Sequence, residues 1–407
     1  VVIGFVAVLV GAGVGAAVAR LQPGTPPEEH LKAAQQALWD DDPVAARAHL
    51  DRLLTESPND PEGLLLAIQA ARRTDACADA ERLLTDYERQ FRSTPATRRE
   101  WVLLGVQQGD LGDHEDELLT LLTRGDRDRP VILEALAKGY FVSYRWPEAV
   151  VALTRLIEER PNHVPALLLR GKLEVRMRNF DEAQRDLRKA VEQAPGNPAA
   201  RAALADLLNR VGHTREAIYN FELALRAGAT DPGVRLGLAR ALADHADLAA
   251  ADRQLADVPN HADAFVERGR LALRQGRAAD AAGYLEQAVK LAPWHRDGHT
   301  LLLAAARELG RLDAVARVEA RVAELTVEDG VGGRLKLKAR DHPKDTAVRW
   351  ELWQWSQRNG QMEEGFAWLT EILRADPKHA GAHAAKADHF ERTGQPRRAA
   401  QHRAGRP

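Results

Sequence analysis

Proline recurs along this chain at a spacing of 34 residues, from Pro161 to Pro195, from Pro259 to Pro293 and from Pro343 to Pro377. A period of that length restricts the fold more than any other feature, because such a unit is too small to bury its apolar face alone and must lean on its neighbours. The prolines share a local phrase, with a polar residue two places on: Pro58-Asn59-Asp60, Pro161-Asn162-His163, Pro195-Gly196-Asn197, Pro259-Asn260-His261, Pro293-Trp294-His295 and Pro377-Lys378-His379. Proline stops one helix and the polar residue can cap the next. A second break falls at the fifteenth place, as Gly112, Gly212, Gly276, Gly310, Gly360 and Gly394. Glycine there accepts the left-handed conformation that ends a helix, so each unit reads as helix, tight turn, helix.

Between the breaks, residue size repeats as well. The eighth place holds Ala34, Gly105, Ala137, Gly171, Ala205, Ala239, Gly269 and Ala387, and the twentieth holds Ala46, Ala80, Ala149, Ala183, Ala217, Ala251, Ala281 and Ala399. Side chains no larger than a methyl let the two helices of a unit approach closely. Four places later come the larger knobs Leu50, Leu84, Leu153, Leu187, Phe221, Leu255, Leu285 and Leu369. This pattern resembles the tetratricopeptide repeat, from about residue 27 to the end of the chain. The resemblance implies an all-α fold, a right-handed α-solenoid of about 11 helix-turn-helix units. It divides into an array over 28–331 and C-terminal units with a cap over 332–407. Several departures stand out. The unit at 232–261 is four residues short, and Pro293 to Pro343 spans 50 residues. Thr326–Gly333 (TVEDGVGG) is the best candidate for a break in the stack, and Trp353 falls at the crowded eighth place, where local geometry should differ.

Ahead of the repeats, Val1–Ala19 contains no charged or strongly polar residue. As a helix, 19 residues span roughly 28 Å, the thickness of a bilayer's hydrocarbon core. Residues 1–20 therefore read as a single transmembrane anchor or a signal segment with a cleavage site at Ala17-Val18-Ala19, the unbroken length favouring the anchor. Residues 21–27 form a proline-rich linker. The expected location is a bacterial inner membrane, single-pass, with the body on the periplasmic side. The bacterial source is inferred from a composition rich in alanine, and in arginine over lysine.

Net charge is −2 over 407 residues, so no overall basic field argues for nucleic acid. A single cysteine excludes a disulfide framework and a four-thiolate zinc site. His295 with His299, and His379 with His383, have the spacing of metal ligands, but both pairs fall at the same repeat places and read as cap and first-turn residues. His114-Glu115-Asp116-Glu117-Leu118 opens like a zinc-protease motif and lacks its second histidine. There is no phosphate loop, dinucleotide fingerprint or nucleophile elbow, and Cys77 reads as a small core residue. The expectation is a chain that is not an enzyme and needs no metal or cofactor.

The resemblance further implies a concave surface lined by the first helices. Its inner places hold Lys138, Lys172, Arg176, Arg210, Arg240, Arg270, Arg274, Arg307, Trp350 and Arg358. Acidic residues at inner places include Glu134, Asp206, Asp244, Asp263 and Asp297. Such a track would suit an acidic peptide or an anionic polymer. Cations at the thirteenth place are also favoured by the helix dipole alone, and tryptophans at helical spacing usually pack in a core. The resulting expectation is a membrane-tethered scaffold that binds proteins or peptides, set in assembly of a bacterial envelope or membrane complex. The rival readings are a permanent structural subunit of a large membrane complex and a regulator that binds an anionic polymer or exopolysaccharide.

Overall fold

The computed structural model describes residues 26–112, 114–124, 128–143, 145–394 and 396–405. The expected anchor over 1–20 and most of the linker over 21–27 lie outside the described residues. Among the described residues no helix is long and apolar enough to cross a membrane.

The described residues form 22 helices in eleven hairpins and no strand. The first six hairpins are α1 (Pro27–Trp39) with α2 (Pro43–Glu56), α3 (Pro61–Arg73) with α4 (Cys77–Phe91), α5 (Pro95–Gln107) with α6 (His114–Thr123), α7 (Arg129–Val142) with α8 (Trp146–Glu159), α9 (Val164–Arg176) with α10 (Phe180–Gln193), and α11 (Pro198–Arg210) with α12 (Thr214–Arg226). There follow α13 (Pro232–Asp244) with α14 (Leu248–Ala256), α15 (Ala262–Arg274) with α16 (Ala278–Leu291), α17 (Arg296–Glu308) with α18 (Leu312–Asp341), α19 (Thr346–Arg358) with α20 (Met362–Ala375), and α21 (Ala380–Arg392) with α22 (Pro396–Arg403). Most helices pack chiefly on their hairpin partner and on the first helix of the next hairpin, the contact order of an α-solenoid.

The sequence phrases act as read. Asp60, Asn197 and Asp345 accept from backbone N–H groups of the first turns of α3, α11 and α19. The Nδ1 atoms of His163, His295 and His379 do the same for Ala166, Gly298 and Ala382 at 3.0, 3.0 and 3.1 Å. The first-turn partners His299 and His383 place Nε2 3.1 and 2.9 Å from the carbonyls of Pro293 and Pro377. These histidines are therefore occupied as caps and loop clips. His261, in the same phrase, makes no side-chain cap bond.

Among the described residues, every first helix but α7 is followed by a left-handed residue. Gly212 and Gly276 serve at φ +83° and +69°, and Asp41, Asp75, Arg178 and Ala246 hold the same conformation at a steric cost. In the third hairpin the residue in that role is Gly109 (φ +89°), three places before Gly112. The expected alignment of Gly105 and Gly112 is thus corrected. A Cβ on Gly105 would meet nothing nearer than Asp110 at 4.0 Å, so Gly105 is not at the crowded position.

At the close approaches, size complementarity is strict. The alanines of the twentieth place are all buried, and the knobs of the twenty-fourth are at most 1% exposed. A Cβ on Gly171 would lie 2.7 Å from Leu187, and one on Gly269 2.5 Å from Leu285. In the tenth hairpin the sizes exchange. Trp353 fills the eighth place, and Gly365 replaces alanine at the twentieth, where a Cβ would sit 2.8 Å from the Trp353 ring.

Two irregular units resolve differently. The short unit loses its residues from α14, only 9 residues long. The expected break at Thr326–Gly333 does not occur, since α18 runs through it as one helix of 30 residues. Gly332 is needed there for packing, because a Cβ would lie 2.2 Å from the Trp355 ring, and Trp355 Nε1 donates to the Glu328 carbonyl at 2.8 Å. The division drawn at residue 331 falls inside this helix. At about 1.5 Å per residue α18 is about 45 Å long, roughly twice any neighbour. Its first half pairs with α17, through Val318 among others, and its second half with α19 and α20, through Leu335, Ala339 and the Lys336–Glu364 ion pair at 2.8 Å. The last two hairpins thereby follow from the far half of α18, displaced along its axis from α17, and the turn at Gly360 comes to rest against Trp294.

Candidate protein-binding surface

The first four hairpins turn their inner charges on one another. Arg72 is 1% exposed and its Nε donates to Glu100 at 2.8 Å. Gln107 donates to the Arg72 carbonyl at 3.0 Å and to Asp75 at 2.7 Å. Arg73 pairs with Asp41 and lies 3.7 Å from Glu134. Lys138 Nζ lies 2.7 Å from Asp75 and 3.0 Å from Glu134. Burial would raise the Glu134 pKa, but Lys138 and Arg73 outweigh it and hold the carboxyl at about 2. Asp41 also receives Arg160 at 3.1 Å and His163 Nε2 at 2.6 Å. Because His163 Nδ1 accepts the cap bond, its proton sits on Nε2 and donates to Asp41. Burial accordingly pushes His163 down to about 4, against the pull of Glu134. Lys138 is therefore an internal ion-pair partner and not an open binding residue.

From α9 to α15 the arrangement opens. Lys172, Arg210 and Arg240, from three successive first helices, all act electrostatically on Asp206. Gly237 makes room for that carboxylate, whose Oδ1 lies 3.2 Å from where a Cβ would stand. Asp206 is exposed at the floor of this surface, yet crowding by the flanking helices pushes it up to about 6 despite the three cations. Among the described residues Lys172 and Arg210 make no ion pair. Arg240 and Arg270 share one buried carboxylate, Glu267, at 2.7 and 3.3 Å. Arg274 donates to the Ala243 carbonyl at 3.2 Å, and Arg176 lies 5.7 Å from the Phe141 and Trp146 rings. Six cations at inner places on these helices (Lys172, Arg176, Arg210, Arg240, Arg270, Arg274) stand against three inner-place carboxylates of the same helices, Asp206, Asp244 and Asp263, with Glu267 beside them and Asp297 of α17 3.9 Å from Arg270. Asp263 is further engaged by His295 at 3.0 Å, which lowers the Asp263 pKa and raises that of His295.

The remaining expected residues do not extend this row. Arg307 pairs with Glu319 on its own hairpin partner at 3.0 Å. Trp350 is half-buried on the next hairpin, where a Cβ on Gly381 would come within 2.9 Å of its ring and His379 lies 5.3 Å away. Arg358 is exposed at the end of α19, which α18 holds out of line with α17. Glu267, missed in the sequence as a partner, falls outside the expected inner places. Among the described residues no group of three His, Cys, Asp or Glu could hold a metal ion.

Eleven stacked hairpins with an inner charge-bearing surface define the class: an all-α helical solenoid. Within it, residues 135–218 and 236–323 match family models described as tetratricopeptide repeat. Comparison with curated proteins gives no match. Among solved structures, the chain is similar to PilW, a widely conserved type IV pilus biogenesis factor, at 22% identity and a TM-score of 0.45, over 48% of this chain and 93% of that one. It is similar to a tetratricopeptide repeat protein from Parabacteroides merdae at 20% identity and a TM-score of 0.36, over 69% and 98%. A third likeness is to the Cut9–Hcn1 hetero-tetramer of the APC/C, at 14% identity and a TM-score of 0.36, over 92% and 90%.

Proposed function

We propose that this chain is a non-enzymatic scaffold that holds an acidic, extended segment of a partner protein against the inner surface of α9, α11, α13 and α15. The observation that carries this reading is the contrast between two stretches of one surface. From α3 to α7 the inner cations are satisfied by carboxylates of the chain itself, whereas among the described residues Lys172 and Arg210 stand without an ion pair, and Arg240 and Arg270 share Glu267, with Asp297 reaching Arg270 only at 3.9 Å. Cations left in excess in a concavity focus a positive potential onto whatever enters it. The uncharged run Val1–Ala19 supports tethering at a membrane, and we place the repeats on its periplasmic side, in envelope assembly. Fractionation with protease protection of residues 28–407 tests that placement, and a body digested only from the cytoplasmic side refutes it.

The peptide reading is tested by titrating the full chain with poly-glutamate and poly-lysine of equal length. Poly-glutamate should bind and weaken as salt rises, and the triple change Lys172→Glu, Arg210→Glu and Arg240→Glu should weaken it by about tenfold or more. Equal affinity for both polymers, or indifference to the triple change, would sink the reading. A sulfated or uronate polysaccharide that outcompetes poly-glutamate would favour the anionic-polymer alternative.

Asp206 adds a pH signature. As pH falls through about 6 its carboxylate takes a proton, and the surface loses a negative charge. The affinity of the native chain for poly-glutamate relative to that of Asp206→Asn, which lacks the titrating group, should therefore rise severalfold from pH 7 to 5, a ratio in which the polymer's own titration cancels. The comparison is read by anisotropy at constant ionic strength, and parallel pH profiles would refute the assignment.

A further inference from the structure

The last hairpin does not end in solvent. Lys386 and Arg398 are 2% and 7% exposed, a depth that long cationic side chains rarely reach. Part of their cover is local, since the Lys386 ammonium lies 5.4 Å from the Phe366 ring and the Arg398 guanidinium 3.9 Å over Phe390. The negative charges that act on them come from the other end of the chain. Asp110, in the turn between α5 and α6, acts on Lys386, Arg398 and His402, and Glu81 of α4 also acts on Arg398. In the reverse direction Arg398 acts on Cys77 at the start of α4, and Arg374 at the end of α20 acts on Glu115 of α6. The length of α18 permits this meeting, because it carries the last two hairpins out of line with the hairpins before them.

We propose that the last two hairpins are a latch: α21 and α22 seat on the edge formed by α4, the Asp110 turn and α6, closing the solenoid, and they leave it as a unit to open it. The seam has the chemistry of a switchable contact. Burying two cations against carboxylates incurs a desolvation penalty that their attraction offsets only in part, whereas most joins between neighbouring hairpins rest on apolar clusters. Burial pushes Lys386 down to about 8 against the pull of Asp110, which marks the strain of holding that charge in place. A join of this kind opens before the apolar seams do. The latch stands on the burial and charges at the chain's two ends, and is independent of what the inner surface binds.

Cys77, the chain's one cysteine, lies at this edge and reports on it. In the intact chain burial raises its pKa, and its reaction with a maleimide should be slow. Asp110→Lys and Lys386→Glu should each speed that reaction by about tenfold or more, since each leaves buried like charges facing one another. The double variant, with the charges exchanged, should slow it again. A second readout uses Cys77→Ser with spin labels at Glu117→Cys and Gln401→Cys, where either single reversal should lengthen the label separation while helix content by circular dichroism stays constant. Unchanged Cys77 reactivity and label separation in Asp110→Lys would overturn the proposal, as would a double variant as reactive as the singles. Because Asp110 lies in a turn, that variant decides the matter even if Lys386→Glu melts the last hairpin.

Discussion

Replacing Arg72 with methionine should destabilise the second and third hairpins by about 3–5 kcal/mol, the usual cost of leaving one partner of a buried ion pair behind. Arg72 is 1% exposed and Glu100 4%, and their 2.8 Å bond has no room for water to replace it. The methionine stem retains much of the packing of the arginine stem, so the loss isolates the uncompensated carboxylate. Arrays of repeats need not unfold in one step, so the change is best read by hydrogen exchange across α3–α5 together with urea unfolding. The control is Arg72→Met with Glu100→Leu, which should recover most of the loss because an apolar pair of similar volume needs no solvation. A single variant that loses under about 1 kcal/mol, the value of an exposed pair, would show that water reaches Glu100.

Phe221→Ala should cost about 3–5 kcal/mol by opening a cavity at the join between the sixth and seventh hairpins. Phe221 is fully buried, and its ring reaches across to α13, where a Cβ on Gly237 would come within 2.4 Å of Cζ. The same geometry makes Gly237→Ala destabilising by about 1–3 kcal/mol through overpacking. Phe221→Leu with Gly237→Ala, which returns the knob to the leucine used in the other units, should lose less than the sum of its single changes, by about 0.5–3 kcal/mol. Urea denaturation of the four proteins closes the cycle, and simple additivity would show that the ring and the glycine do not meet. Gly237 also borders Asp206, so the poly-glutamate titration of Gly237→Ala shows whether the overpacking reaches the binding surface.

What the sequence made legible was whatever the period repeats. Alanine at the twentieth place, the knob four places on, the left-handed turn and the histidine caps depend on residues within one unit or its neighbour, and they recur in register. Where the register slips, inference slipped with it. A turn lengthened by three residues moved the left-handed role from Gly112 to Gly109, and glycines in TVEDGVGG looked like a break because nothing local announces Trp355 lying over Gly332. The oddity of Trp353 was visible, but not that Gly365 answers it from the facing helix. The inner surface was readable as a row of places and not as a set of partners. Lys138 and Lys172 occupy the same place in successive units, and only the curvature of the chain, which brings Asp75 to Lys138 across 63 residues, decides that one is consumed and the other open. Contacts of that span have no signature in a single sequence.

α18 also sets how this chain can tolerate insertion and deletion. Along a rigid shaft each residue added advances the far end by about 1.5 Å and swings it by about 100°. Removing one residue from the exposed middle of α18 would thus rotate the terminal hairpins away from their seat, whereas removing seven or eleven would bring them nearly back into phase at a shorter reach. Length change in this one helix is a dial on the relative azimuth of the molecule's two ends.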